Sequence, residues 1–109
     1  MATVVLENNE KIKCLKEVRS RLKKILYVYD KQQEDDAYNY KTYTENTMIF
    51  VSSSNILFDG ELVNILVNLN AILTNDFSKQ QIKRLVFESK NQVEYLINKY
   101  EHPEDFEEA

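Results

Sequence analysis

A chain of 109 residues, 29% of them charged, with a net charge of −4, has the make-up of one folded domain and not of a disordered segment. One glycine (Gly60) and one proline (Pro103) supply few tight turns, which argues against an all-β fold and for long helices with short links. The lone cysteine, Cys14, rules out an internal disulfide and suits a reducing compartment.

The opening residues MATVVLENNEK lack the basic start and apolar core of a signal peptide. The longest charge-free runs, 46–58 and 62–75, are too short and too rich in Asn, Ser and Thr to span a bilayer. The expectation is a soluble, cytoplasmic protein that does not meet a membrane.

In chain order, residues 1–8 are expected to be loose, with Asn8 or Asn9 capping a first helix. Leu15, Val18, Leu22, Ile25 and Tyr29 alternate spacings of three and four, a heptad seam that predicts a helix to about residue 33. The next stretch, 37–57, is ambiguous. Its Tyr, Thr, Ile, Phe and Val favour strands, and a β-hairpin of 38–43 with 47–52 can be drawn. No Asn-Gly or Asp-Gly turn supports it. The preferred reading is a helix capped by Asp35 or Asp36, with Tyr40, Tyr43, Thr47, Phe50 and Ser54 on one stripe.

Residues 62–73, LVNILVNLNAIL, are apolar nearly all the way round if helical. Such a helix is expected inside the bundle, covered on most sides. Asp59 is its expected cap, Glu61 favours its positive end, and Phe58 can staple onto Val63. Ser78-Lys79-Gln80-Gln81 has the form of a capping box. Ile82, Val86, Ser89, Val93, Leu96 and Tyr100 then mark a last helix of about 22 residues (roughly 33 Å), stopped before Pro103. The fold class is therefore all-α: a small antiparallel bundle of about four helices over 1–101, with an acidic flexible tail at 102–109. The innermost helix would be 62–73, with the first and last laid along it and Leu66 in the core.

The chemistry of catalysis is not visible. General acid–base work needs a base near neutrality, and the single histidine, His102, lies in the tail. A Cys14–His102 pair is disfavoured because Cys14 borders a core seam. One Cys and one His are too few for a metal site, Glu34, Asp35 and Asp36 lack calcium-loop spacing, and one glycine cannot form a phosphate loop. No enzyme activity and no cofactor are expected.

Binding residues are easier to name. Tyr38, Tyr40 and Tyr43 are candidates for a protein interface, where aromatics are enriched. The basic run Lys11, Lys13, Lys16, Arg19, Arg21, Lys23 and Lys24 reads first as a solvated helix face. It is also a surface for an acidic partner or for the chain's own tail, with Lys16, Arg19 and Lys23 as its contacts. Phe106 within Glu104-Asp105-Phe106-Glu107-Glu108 could anchor a docking peptide, although a floppy terminus is the plainer reading. Asn64 and Asn68 mark either a solvent-facing strip or a buried register-fixing pair. Residues 73–84 resemble the turn and second helix of a helix-turn-helix in outline, but net acidity opposes nucleic acid. The expected function is a non-catalytic protein-binding module, an adaptor, complex subunit or inhibitor, with a homodimer as one form. The alternative is a nucleic-acid-binding regulator that uses the basic first helix for phosphates or the Ser78 helix as a helix-turn-helix. The Tyr- and Asn-rich composition would suit an AT-rich source such as a virus or phage.

Overall fold

The computed structural model describes residues 2–35, 37 and 39–105, and side chains across that range except at 2–7, 56, 57 and 105. It contains four helices: α1 (Ala2–Gln32), α2 (Tyr40–Ser54), α3 (Val63–Thr74) and α4 (Lys79–Glu101). There is no strand among the described residues. None of these helices is long and apolar enough to cross a membrane.

The seams predicted for the first and last helices form the core. Leu15, Val18, Leu22 and Ile25 are fully buried on α1, and Tyr29 packs on their edge. Ile82, Val86, Ser89, Val93, Leu96 and Ile97 are buried on α4. Ser78 caps α4 as expected: its side chain accepts from the Gln81 N–H, and the Gln81 side chain accepts from the Ser78 N–H at 2.9 Å. The start of α1 differs from expectation, since the helix runs from Ala2 and passes Asn8 and Asn9 without a break.

Residues 40–54 form a helix, not a hairpin. The Asn39 carboxamide caps it, accepting from the N–H groups of Lys41 (3.0 Å) and Thr42 (3.2 Å); Asp35 is not the cap, and Asp36 lies outside the described residues. Its inward stripe is Tyr40, Thr44, Thr47 and Val51, rotated from the expected one, with Tyr43 and Phe50 on its shoulder. The two buried threonines are satisfied within the helix. Thr44 Oγ1 donates to the Tyr40 carbonyl (2.7 Å), and Thr47 Oγ1 to that of Tyr43 (2.9 Å). Strand-favouring residues thus sit in a helix because burial against neighbours outweighs a propensity that spans only about 1 kcal/mol.

The link to α3 also departs from expectation. Asn55–Phe58 form a 3-10 turn, and Asp59 (φ 47°) and Gly60 (φ 86°) take left-handed backbone. Asp59 therefore does not cap α3, whose N-cap Leu62 makes no side-chain cap bond. Phe58 is buried in the core while Val63 faces solvent, so the expected staple does not form.

Each helix packs chiefly on two others. α1 packs on α2 and α4, and α3 packs on α2 and α4, closing a ring. Contacts set every packed pair antiparallel: Arg19–Glu94 (2.8 Å) and Asp30–Lys79 (2.6 Å) for α1 and α4, Tyr29–Tyr40 (5.0 Å between ring centroids) and Arg21 over the Phe50 ring (4.6 Å) for α1 and α2, Lys41–Asp76 (2.9 Å) for α2 and α3, and Asn68–Ser89 (3.0 Å) for α3 and α4. The helix 62–73 is therefore not the covered centre. It occupies one corner, diagonal from α1, and buries only Leu62, Ile65, Leu69 and Ile72. Leu66 lies on the shoulder of the core, not within it.

Leu69→Ala should cost about 2–5 kcal/mol, while Val67→Ala on the same helix should change stability by less than about 0.5 kcal/mol. Urea unfolding of both variants checks this, and equal losses would contradict the corner placement.

Candidate protein-interaction surface

α3 spends one arc on the core and presents the rest to solvent. Its outward residues are Val63, Asn64, Val67, Asn70 and Thr74, and none carries a charge. Val67 is 59% exposed and Val63 48%. Across the seam, α4 contributes Tyr95, 53% exposed, with Asn91 and Gln92. Together Asn64, Val67, Asn68, Glu88, Asn91, Gln92 and Tyr95 line an open groove of about 640 Å³. Apart from Glu88 at its edge, its lining is apolar side chains, the Tyr95 ring and amides. Charge appears only at the margins, where it is already paired: Arg84 with Glu88 (3.2 Å) and Lys99 with Glu61 (2.6 Å).

The second of these pairs closes the foot of the groove. Glu61 ends the left-handed link and accepts from both Lys99 Nζ and the Tyr100 hydroxyl, tying the start of α3 to the end of α4. Lys11 of α1 lies over the Tyr100 ring at 4.8 Å and adds positive charge to the cluster. Burial alone would raise the Glu61 carboxyl, but the hydrogen bonds from Lys99 and Tyr100 and the charges of Lys99 and Lys11 outweigh it. The carboxyl is held below its usual 4.5. Burial first, then the bond to Glu61 and the negative charges of Glu61 and Asp59, push the Tyr100 hydroxyl well above its usual 10.0.

The residues named from sequence scatter. Tyr40 is in the core, 8% exposed and edge-on to Tyr29 with ring centroids 5.0 Å apart, so its ring packs and is not presented. Tyr43 is half-buried beside Arg21 and Glu17; burial raises its hydroxyl pKa, with Arg21 opposing. Tyr38 and Phe106 lie outside the described residues. Lys16 and Lys23 are exposed on α1, and Arg19 bonds Glu94. Of the Asn stripe, Asn64 and Asn70 face solvent, whereas Asn68 reaches inward to Ser89. Residues 73–84 do not make a helix-turn-helix, because α4 runs antiparallel along α3 where that motif needs a steep crossing. Lys79 and Arg84 are occupied by Asp30 and Glu88.

The groove residues Val67, Asn91, Gln92 and Tyr95 are not singled out by the sequence patterns above. A signal existed: Val63 and Val67 are one turn apart and off the Leu62–Ile65–Leu69–Ile72 stripe, so they exceed what one core face needs.

Among the described residues no three His, Cys, Asp or Glu side chains gather as a metal site would require. Cys14 is half-buried and free, and His102 is exposed with Glu104 as neighbour at 3.9 Å. Comparison with protein-family models, curated proteins and solved structures gives no match for this chain.

The Glu61 tie makes two opposite demands on pH. A carboxyl whose folded pKa is lowered stabilises the fold above its unfolded value, and that contribution fades as pH falls through the folded one. A hydroxyl whose folded pKa is raised contributes fully below its unfolded value and is lost as pH rises beyond it. Urea unfolding as a function of pH should show Glu61→Gln flattening the acid limb below about pH 5 and Tyr100→Phe flattening the alkaline limb above about pH 10. Limbs unchanged in both variants would show that the tie contributes nothing.

Proposed function

We propose that this chain is a non-catalytic protein-binding module whose contact surface is the α3–α4 groove. The observation that carries the reading is the outward arc of α3, free of charge from Val63 to Thr74 in a chain that is 29% charged. Depletion of charge at the centre with paired charge at the rim is the composition of an interface core. Val67 and Tyr95 supply apolar and aromatic area, and Asn64, Asn91 and Gln92 supply donors and acceptors in the same trough. A partner helix laid along the groove would bury those side chains without having to desolvate an unpaired ion. The groove's Val, Tyr and amide side chains do not exchange protons near neutral pH, which supports binding over acid–base chemistry.

Affinity capture from the native source, run in parallel with wild type, Val67→Glu and Lys16→Glu, tests this. The expected outcome is a partner held by wild type and Lys16→Glu and lost with Val67→Glu. Calorimetry with the purified partner should then show Tyr95→Ala weakening binding by about 2 kcal/mol or more. A partner retained by Val67→Glu, or none captured by folded wild type, would overturn the assignment.

A further inference from the structure

A second face has the opposite character. Lys13, Lys16, Lys23 and Lys24 on α1 and Lys83 and Lys90 on α4 have no ion-pair or hydrogen-bond partner among the described residues. The arginines and Lys41, Lys79 and Lys99 are all paired. Helical periodicity puts Lys16, Lys23 and Tyr27 on the side of α1 that also carries Arg19 and Asp30, the residues that grip α4. On α4 it puts Lys83, Phe87 and Lys90 on the side that carries Glu94 and Lys79. These six residues therefore share the outer face of the α1–α4 pair.

The ion pairs also fix their axial order. Because Arg19 meets Glu94 and Asp30 meets Lys79, Lys90 lies level with the turn of Lys23. Lys83 lies beyond it, level with the turn after Tyr27, and Phe87 falls between the two. Two exposed rings, Tyr27 (55%) and Phe87 (60%), are thus bracketed by lysines from both helices. From Lys16 to the level of Lys83 the strip is about 20 Å long. The acids on it, Asp30 and Glu94, are each neutralised by a partner.

We propose that the outer face of the α1–α4 pair binds single-stranded nucleic acid, with phosphates on Lys16, Lys23, Lys83 and Lys90 and bases stacked on Tyr27 and Phe87. Lysines following a backbone and aromatic rings taking base faces are the two parts of sequence-tolerant single-strand binding. A duplex hides its base faces, leaving the rings without a role. A lipid surface would need a continuous apolar area projecting past the charges, and two separated rings do not provide one. The net charge of −4 does not cancel the strip. Screening at physiological salt acts over about 8 Å, less than the 19–24 Å width of the bundle.

The test is fluorescence anisotropy with a labelled oligothymidylate and a duplex of equal length, across a salt series. The expected result is tighter binding of the single strand, with a slope of log K against log salt of about −3. The Lys16→Glu/Lys23→Glu variant should bring that slope to about −1.4. Tyr27→Ala/Phe87→Ala should lose at least about tenfold in affinity at unchanged slope. All four positions are exposed, and circular dichroism confirms folding of the variants. Val67→Glu should leave this binding untouched, separating it from the α3 groove. No binding at low salt, preference for the duplex, or affinity indifferent to the rings would overturn the proposal. So would equal binding of polyglutamate or of phosphatidylserine vesicles, which would reassign the face to an acidic protein or a membrane.

Discussion

In a ring of four helices each member has only one inward arc. That geometric limit decides what this bundle buries and what it leaves outside. The aliphatic residues of α1 and α4 match it, forming one seam each. α3 does not match it. Leu62, Ile65, Leu69 and Ile72 fill its inward arc, and Val63 and Val67 are left over. Full burial of such a side chain is worth roughly 1.5–3 kcal/mol, so leaving two half-exposed forgoes on the order of 1 kcal/mol each. The fold tolerates that loss, and one of the two residues that incur it, Val67, lies beside Tyr95 in the groove.

Much of the architecture could be read from the chain because the signals were local. The seams of α1 and α4 and the Ser78 capping box are patterns within one helix, and each is where its spacing put it. What could not be read depended on neighbours. An apolar helix looks the same whether it is central or at a corner; only the diagonal placement of α1 and α3 settles it. Likewise, Thr44 and Thr47 favour strands in isolation, and their burial in α2 follows from the Asn39 cap and from neighbours packed against that face. The Asp59–Gly60 link failed as a cap because Phe58 is drawn into the core, which forces the chain through left-handed backbone before α3 begins.

Charge teaches the same lesson. The basic run was legible as a stretch of α1, but its neighbours on α4 were not, since Lys83 and Lys90 lie some sixty residues away in sequence. Folding sorts these ions. Arg19, Arg21 and Lys79 are consumed by pairing at helix seams, while the unpaired lysines collect on the outer side. Net charge averages over faces that screening keeps independent. The candidate surfaces therefore came from arrangement and not from composition: one from an excess of apolar residues on a corner helix, the other from two antiparallel rows of cations.

The bond from Asn68 to Ser89 reaches further than its size suggests. Were α3 to slide by one turn so that the Asn68 amide arrived opposite Val93, Ile72 would face Ser89, and its hydroxyl would sit in aliphatic surroundings with its cross-helix partner gone. Each stranded polar group costs about 1–3 kcal/mol, comparable to a sizeable share of a small domain's whole stability. Aliphatic seams alone would accept several such offsets with similar energy. A single amide–hydroxyl contact makes them unequal, and so selects one alignment from a family of near-isoenergetic ones.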